Sequence, residues 1–191
     1  MKKLITVFVL LFSFNEIAIA EDGPELLFEG GINSLLATRD AFSITVSDQV
    51  TDGCLPNPGQ LKDKMEIALR KNGFGIEKGT AFFTDKILIT ALGYKISDSA
   101  CVIHLSVDLI FPTNISVPLA IIGPEGDSTF VPYTYQIGDN LLKSIRSSMQ
   151  GHLNKQVTEY ADKLYLDISR ARDDIFTKFP SLKDSYEESK K

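Results

Sequence analysis

The sequence is poor in the residues from which catalytic and metal centres are usually built. It has two histidines, His104 and His152, far apart and in different predicted elements. No H-x-x-x-H or H-E-x-x-H spacing and no acidic calcium loop occurs, so no metal site is expected. Glycines nowhere take the spacing of a nucleotide fingerprint. Gly73-Phe74-Gly75 is a pair of glycines at a predicted helix end, with no phosphate-binding helix and no Lys-Ser/Thr pair behind it. There is no G-x-S-x-G elbow. No cofactor is expected. Positive charge is also scarce: 20 Lys and Arg stand against 25 Asp and Glu, a formal net charge of −5, with no dense basic patch. Phosphate contacts supply most nucleic-acid affinity, so DNA and RNA are poor partners for such a chain, and so are anionic lipid surfaces. The charge serves solubility.

One long apolar run is present, and it lies at the start. Lys2 and Lys3 precede Leu4 to Phe14, and Ala18-Ile19-Ala20 supplies small residues where a signal peptidase reads. Positive start, apolar middle and A-x-A end are the parts of a secretory signal. Asn15 and Glu16 stop the run short of the roughly 20 apolar residues that a spanning helix needs. Cleavage after Ala20 is expected. The short signal with two early lysines looks bacterial, which points to the periplasm or to secretion. No membrane span is expected in the rest of the chain. Losing Lys2, Lys3 and Glu16 with the signal leaves 18 basic and 24 acidic residues, a net charge of −6.

Two cysteines in an oxidising compartment usually form one bond. Cys54 and Cys101 are expected to pair. They would close a loop of 101 − 54 = 47 residues, which chain-entropy arithmetic values at about 4 kcal/mol.

Periodicity then divides the chain. Ala41 to Asp48 alternates, with Phe42, Ile44 and Val46 on one side, as a half-buried strand does. Residues 21–40 hold Gly30-Gly31 and mixed signals and are left without an assignment. Asn57 as cap, Pro58 at the first position, Leu61, Met65 and Leu69 at spacings of four, and Gly73 as stop define a helix over 58–72. Lys86 to Ile96 is rich in strand formers. Val102 to Phe111 alternates most cleanly and ends at Pro112. Ser116 to Gly123 and Ser128 to Tyr135 read as two strands around Pro124-Glu125-Gly126-Asp127, edge or irregular because of Pro118 and Pro132. Residues 138–147 permit strand or helix. From Ser148 to Arg172 an apolar stripe recurs every three or four residues, a long helix. The charged tail, residues 177–191, is expected to fray. One α+β domain over 41–176 follows. Its expected form is a two-layer sandwich: a mostly antiparallel sheet of about five strands with two helices packed on one face, one of them the long C-terminal helix.

Candidate chemistry is thin. Gly79-Thr80-Ala81-Phe82-Phe83 with Ile87 to Ala91 resembles the early hairpin of trypsin-like proteases. Where that family places Thr-Ala-Ala-His-Cys, this chain has Thr90-Ala91-Leu92-Gly93-Tyr94, and no G-D-S-G-G segment follows. The resemblance therefore implies no protease. His104, Ser106 and Asp108 share a sheet face, yet His104 and Asp108 stand roughly 13 Å apart at about 3.3 Å per residue. A base needs its orienting partner within hydrogen-bond reach, so a triad would require an aspartate from another strand.

What remains is surface. Tyr133 and Tyr135 on a late strand, and Tyr160 and Tyr165 on the long helix, are the candidate interface residues, since aromatics with a polar tip are common at interfaces. The reading is a non-catalytic accessory or assembly module that binds another envelope protein. Two alternatives stand beside it. One is a small-molecule or lipid binder, with Phe82, Phe83, Phe130 and Tyr133 lining a pocket between sheet and long helix. The other is a hydrolase with a scattered site around His104.

Overall fold

The computed structural model describes residues 31–78, 84–116 and 128–190. In chain order these form α1 (Ile32–Ala37), β1 (Ala41–Val50), α2 (Gly59–Lys71), β2 (Gly75–Ile76), β3 (Lys86–Lys95), β4 (Ala100–Ser116), β5 (Ser128–Ile145), α3 (Arg146–Lys178) and α4 (Pro180–Glu188). The signal segment 1–20, the first part of 21–40, Phe82, Phe83, Pro118 and the turn at 124–127 lie outside the described residues, as does the side chain of Phe130.

The alternation of β4 organises the sheet. Ile103, Leu105, Val107, Leu109 and Phe111 are fully buried, while Val102, His104, Ser106, Asp108 and Ile110 between them are partly exposed. The strand order is β2-β1-β3-β4-β5. β3–β4 and β4–β5 are antiparallel, as hairpin partners are. β1 is parallel to both β2 and β3. The five-stranded sheet is therefore mixed, not mostly antiparallel. The cause is α2: a strand, a crossover helix and a returning strand give a parallel pair.

β5 is one strand of 18 residues and takes in 138–145, leaving α3 to begin at Arg146. β4 runs through Pro112 to Ser116 instead of ending at the proline. Pro112 sits opposite Pro132, beyond Ile110, the last β4 residue that β3 pairs. Among the described residues, β4 has a neighbour on one side only at that point, an edge position of the kind that tolerates proline. The register of β4 and β5 shifts once: Val107 faces Gly138 and Asp108 faces Gln136. Ile137 is the extra residue of this bulge and is buried.

α2 follows its sequence signature closely at its end and less closely at its start. Asn57 makes no side-chain cap; its N–H donates to Gln150 Oε1 at 3.1 Å on α3. At the far end Gly73 takes φ +87°. Its N–H bonds Arg70 O, and the Phe74 N–H bonds Leu69 O, the Schellman pattern that a left-handed glycine makes possible.

The stripe of α3 from Met149 through Leu153, Val157, Leu164 and Ile168 to Ile175 is fully buried. It joins the buried strand residues and those of α1 and α2 in one core cluster. Each such side chain contributes roughly 1.5–3 kcal/mol of burial. Cys54 and Cys101 form the expected disulfide, both fully buried. The start of α3 is tied in beside it, where Arg146 donates from its N–H to Ser99 O at 2.8 Å and from Nε to Gly53 O at 3.1 Å.

The last residues, read from sequence as a frayed tail, hold α4 against the start of β1. Arg172 pairs with Asp40 at 2.6 Å, and Tyr186 donates its hydroxyl to the same oxygen. Lys190 lies 3.3 Å from that oxygen, and both Arg172 and Lys190 lie over the Tyr186 ring.

Candidate functional site

Register places three outward-facing rows across the sheet: Thr45-Leu88-Asp108-Gln136, Ser47-Thr90-Ser106-Asp139 and Gln49-Leu92-His104-Leu141. A shorter row, Tyr94-Val102-Lys143, follows towards the β3–β4 turn. The first two rows are mainly polar. The last two are not, and their apolar side chains stand in solvent: Leu92 is 53%, Tyr94 59% and Leu141 67% exposed. Ile96 and Ile145 lengthen the same exposed group towards the turn.

His104 lies between Leu92 and Leu141 in this apolar end. The aspartate that a triad would borrow from another strand is present, since Asp139 Oδ2 lies 3.7 Å from His104 Nε2. That distance exceeds hydrogen-bond reach, so Asp139 does not orient the ring as a base requires. Asp108 is pushed above the usual carboxylate range, chiefly by burial. A hydrogen bond from Ser106 opposes the shift and the nearby Asp139 charge adds to it. Ser106, Asp108, Asp139 and His104 are neighbours on an open face, without the nucleophile–base–orienter geometry of acyl transfer.

The four tyrosines separate. Tyr135 donates its hydroxyl to Asp167 Oδ2 at 2.8 Å on α3. Burial, then that bond and the Asp167 charge, push its ionisation up to about 12. Tyr160 is buried against Gly138, where an added Cβ would fall 2.4 Å from its ring. Both fasten α3 to β5. Tyr133 stacks on Phe111 at 5.4 Å and Tyr165 meets the edge of Phe74 at 6.2 Å, each about two-fifths exposed. Tyr133 belongs to β5 and Phe74 adjoins β2, the two opposite edges of the sheet, so the four do not share one patch.

Sequence reasoning missed the exposed apolar end of the open face. A signal was there. Leu88, Leu92 and Tyr94 interleave with Ile87, Ile89 and Ala91, and Leu141 abuts Leu142, so both faces of β3 and β5 carry apolar residues where a solvated face would alternate. It also missed Lys163, whose Nζ donates to Ile137 O at 2.7 Å and lies 3.1 Å from Asp167 Oδ2. The bulge frees that carbonyl, and no local pattern announces it.

At the opposite end of β4, Arg39 pairs with Asp85 at 3.1 Å and lies over the Phe111 ring. Burial raises Asp85 above the usual carboxylate range, against the pull of Arg39. Among the described residues, no group of three or more His, Cys, Asp and Glu is placed to hold a metal ion. Among the same residues, no helix is long and apolar enough to cross a membrane.

No protein-family model matches the chain, and no curated protein matches it either. Among solved structures it is similar to a minor lipoprotein from Acinetobacter baumannii, determined at 2.35 Å. The two are 13% identical, with a TM-score of 0.32, over 70% of this chain and 92% of that one. At that score the likeness carries no argument.

Proposed function

We propose that the protein is a non-catalytic accessory module of the cell envelope that binds another envelope protein through the open face of its sheet. The observation that carries this reading is the exposed apolar end of that face, Leu92, Tyr94, Ile96, Leu141 and Ile145 around His104. Contiguous exposed apolar surface marks interaction sites in soluble proteins. Such surface adds nothing to this chain's own core. The buried disulfide supports a place outside the cytoplasm, as does the secretory pattern of Lys2 to Ala20. A pocket between sheet and long helix draws no support from the inner face, where the β4 residues from Ile103 to Phe111 that face α3 are fully buried.

The test is a photo-crosslinking residue placed at Leu141 or at Leu92 in intact cells, at native expression. Ile67 on α2, 60% exposed, is the control position. A single dominant envelope partner captured from 141 and 92, and not from 67, is the expected outcome. No adduct from either sheet position ends the reading.

A further inference from the structure

The outer edge of β5 runs open along its second half. The Arg146 N–H donates to Ser99 O at 2.8 Å, towards β4. Backbone groups alternate along a strand, so Ser144, Leu142 and Asn140 also turn theirs to β4, and Asp139, Leu141, Lys143 and Ile145 turn theirs away from the sheet. β5 is last in the strand order, and among the described residues no strand pairs with its outer side. Those four residues are exposed. α3 passes beneath the inner face, where Asn140 Nδ2 donates to Gln156 Oε1 at 3.1 Å. The open stretch ends on one side at the bulge, where Lys163 Nζ takes Ile137 O at 2.7 Å, and on the other where α3 begins at Arg146. The described residues that flank 79–83 and 117–127 stand at the far end of the sheet. Ser128, for one, is 141 − 128 = 13 residues along β5 from Leu141, roughly 40 Å. At the start of the chain, α1 is fixed by Asn33 to Asp174, which stands 174 − 156 = 18 residues along α3 from Gln156, about 27 Å.

The charges on this edge complement themselves. Asp139 and Lys143 stand symmetrically about Leu141, and all three share the outer face. An antiparallel second copy of β5 centred on Leu141 sets each Asp139 opposite the other copy's Lys143 and Leu141 opposite Leu141. The outward backbone groups meet in that same register: 139 with 143, 141 with 141 and 143 with 139, each pair exchanging both of its hydrogen bonds. Neighbouring registers lose the match. A centre at Leu142 puts Asp139 opposite Ile145, a centre at Asn140 puts it opposite Leu141, and a centre at Lys143 sets lysine against lysine. Opposite charges across a strand pair are favourable and like charges are not. A two-fold interface must be complementary to itself, and the 139–143 stretch is.

We propose that two copies of this chain join edge to edge through β5, antiparallel, with the two-fold axis at Leu141. The two five-stranded sheets become one continuous sheet. The exposed row Leu92-His104-Leu141 of each copy then meets that of the other, so the apolar end of the open face runs unbroken across both. The pairing is made by the backbone edge and its flanking charges, and does not rest on the partner reading of the open face.

The experiment measures sedimentation of the full oxidised protein from micromolar to near-millimolar concentration. Wild type should form a dimer as concentration rises. Asp139→Lys sets lysine against lysine and Lys143→Asp sets aspartate against aspartate, so each alone should weaken dimerisation at least about tenfold. Mixed in equal amounts, the two variants should pair with each other at wild-type strength, because every charge then meets its opposite. A variant that had failed to fold could not be rescued in this way. A second arm fixes the register. Leu141→Cys carries a lone free thiol, since Cys54 and Cys101 are bonded to each other. Its Cα would stand about 5.5 Å from that of the second copy, within disulfide reach, so mild oxidation should give a covalent dimer. Lys143→Cys, roughly 13 Å from its own counterpart, should give at least about tenfold less. The proposal is overturned if wild type stays monomeric throughout, if the charge variants dimerise as tightly as wild type, if the mixture does not recover, or if position 143 crosslinks to itself as well as 141 does. An adduct with a second copy from position 141 belongs to this edge, and an adduct with another envelope protein from position 92 belongs to the open face, so either can fail without the other.

Discussion

The two faces of the sheet are built from similar residues to opposite effect. On the inner face, Ile87, Ile89, Leu105, Val107 and Leu109 are fully buried and belong to the core that α3 completes. On the outer face, Leu92, Tyr94 and Leu141 are more than half exposed. A leucine on the inner face stabilises the fold, whereas the same residue on the outer face buries little of its surface and contributes little. The difference separates what the chain needs in order to fold from what its surface offers to others.

Substitutions sharpen that contrast, beginning where the inner face has least room. At Gly93 an added Cβ would lie 2.4 Å from Val102 O and 2.8 Å from Ile103 Cα, both backbone atoms. Gly93→Val must therefore displace β4. A loss of more than about 4 kcal/mol is expected, read as failure to accumulate folded protein or as collapse of the denaturant midpoint. Leu105→Ala should cost about 2–5 kcal/mol in the same measurement, since it leaves a cavity beneath α3.

A smaller effect attends Tyr135, at the edge of the inner face. Its folded ionisation at about 12 lies above the ordinary 10.0, so the folded chain holds that proton more tightly than the unfolded one. The associated stability is whole below about 10 and drains as pH rises from about 10 to 12. Thermal melts up to that range should show Tyr135→Phe less sensitive to alkali than wild type. The smallest effect on stability is expected at Leu141. Leu141→Ser should stay within about 0.5 kcal/mol of wild type, yet remove the partner adduct formed from position 92. If Leu141→Ser instead unfolded the chain, the two faces would not differ in the way their exposure implies.

How much of this was legible depends on the range of the signal. β4 could be read because its alternation is local and unbroken, and the end of α2 because a glycine at φ +87° is written into the sequence as Gly73. The parallel pairing could not be read. β2 is two residues long, Gly75 and Ile76, too short to carry a period, and pairing direction depends on the connection and not on composition. β5 was legible only from Ser128 to Tyr135, with residues 138–147 left open to strand or helix, because the bulge at Ile137 shifts the alternation by one. Of the tyrosines, the sequence marked the right residue type without its partner. Nothing near Tyr135 tells that Asp167, 32 residues later, will meet its hydroxyl.

The carboxylate of Asp40 has an unusual calendar. It is synthesised ahead of the first strand, yet its partners arrive 132 and 146 residues later, as Arg172 and Tyr186. A chain emerging from its N-terminus can lay down β1 to β5 and wind most of α3 while that anchor still waits. The clasp therefore cannot be complete until residue 186 has been made. A nascent chain halted before residue 186 would contain all five strands and Arg172, but not the Tyr186 hydroxyl that completes the cluster on Asp40.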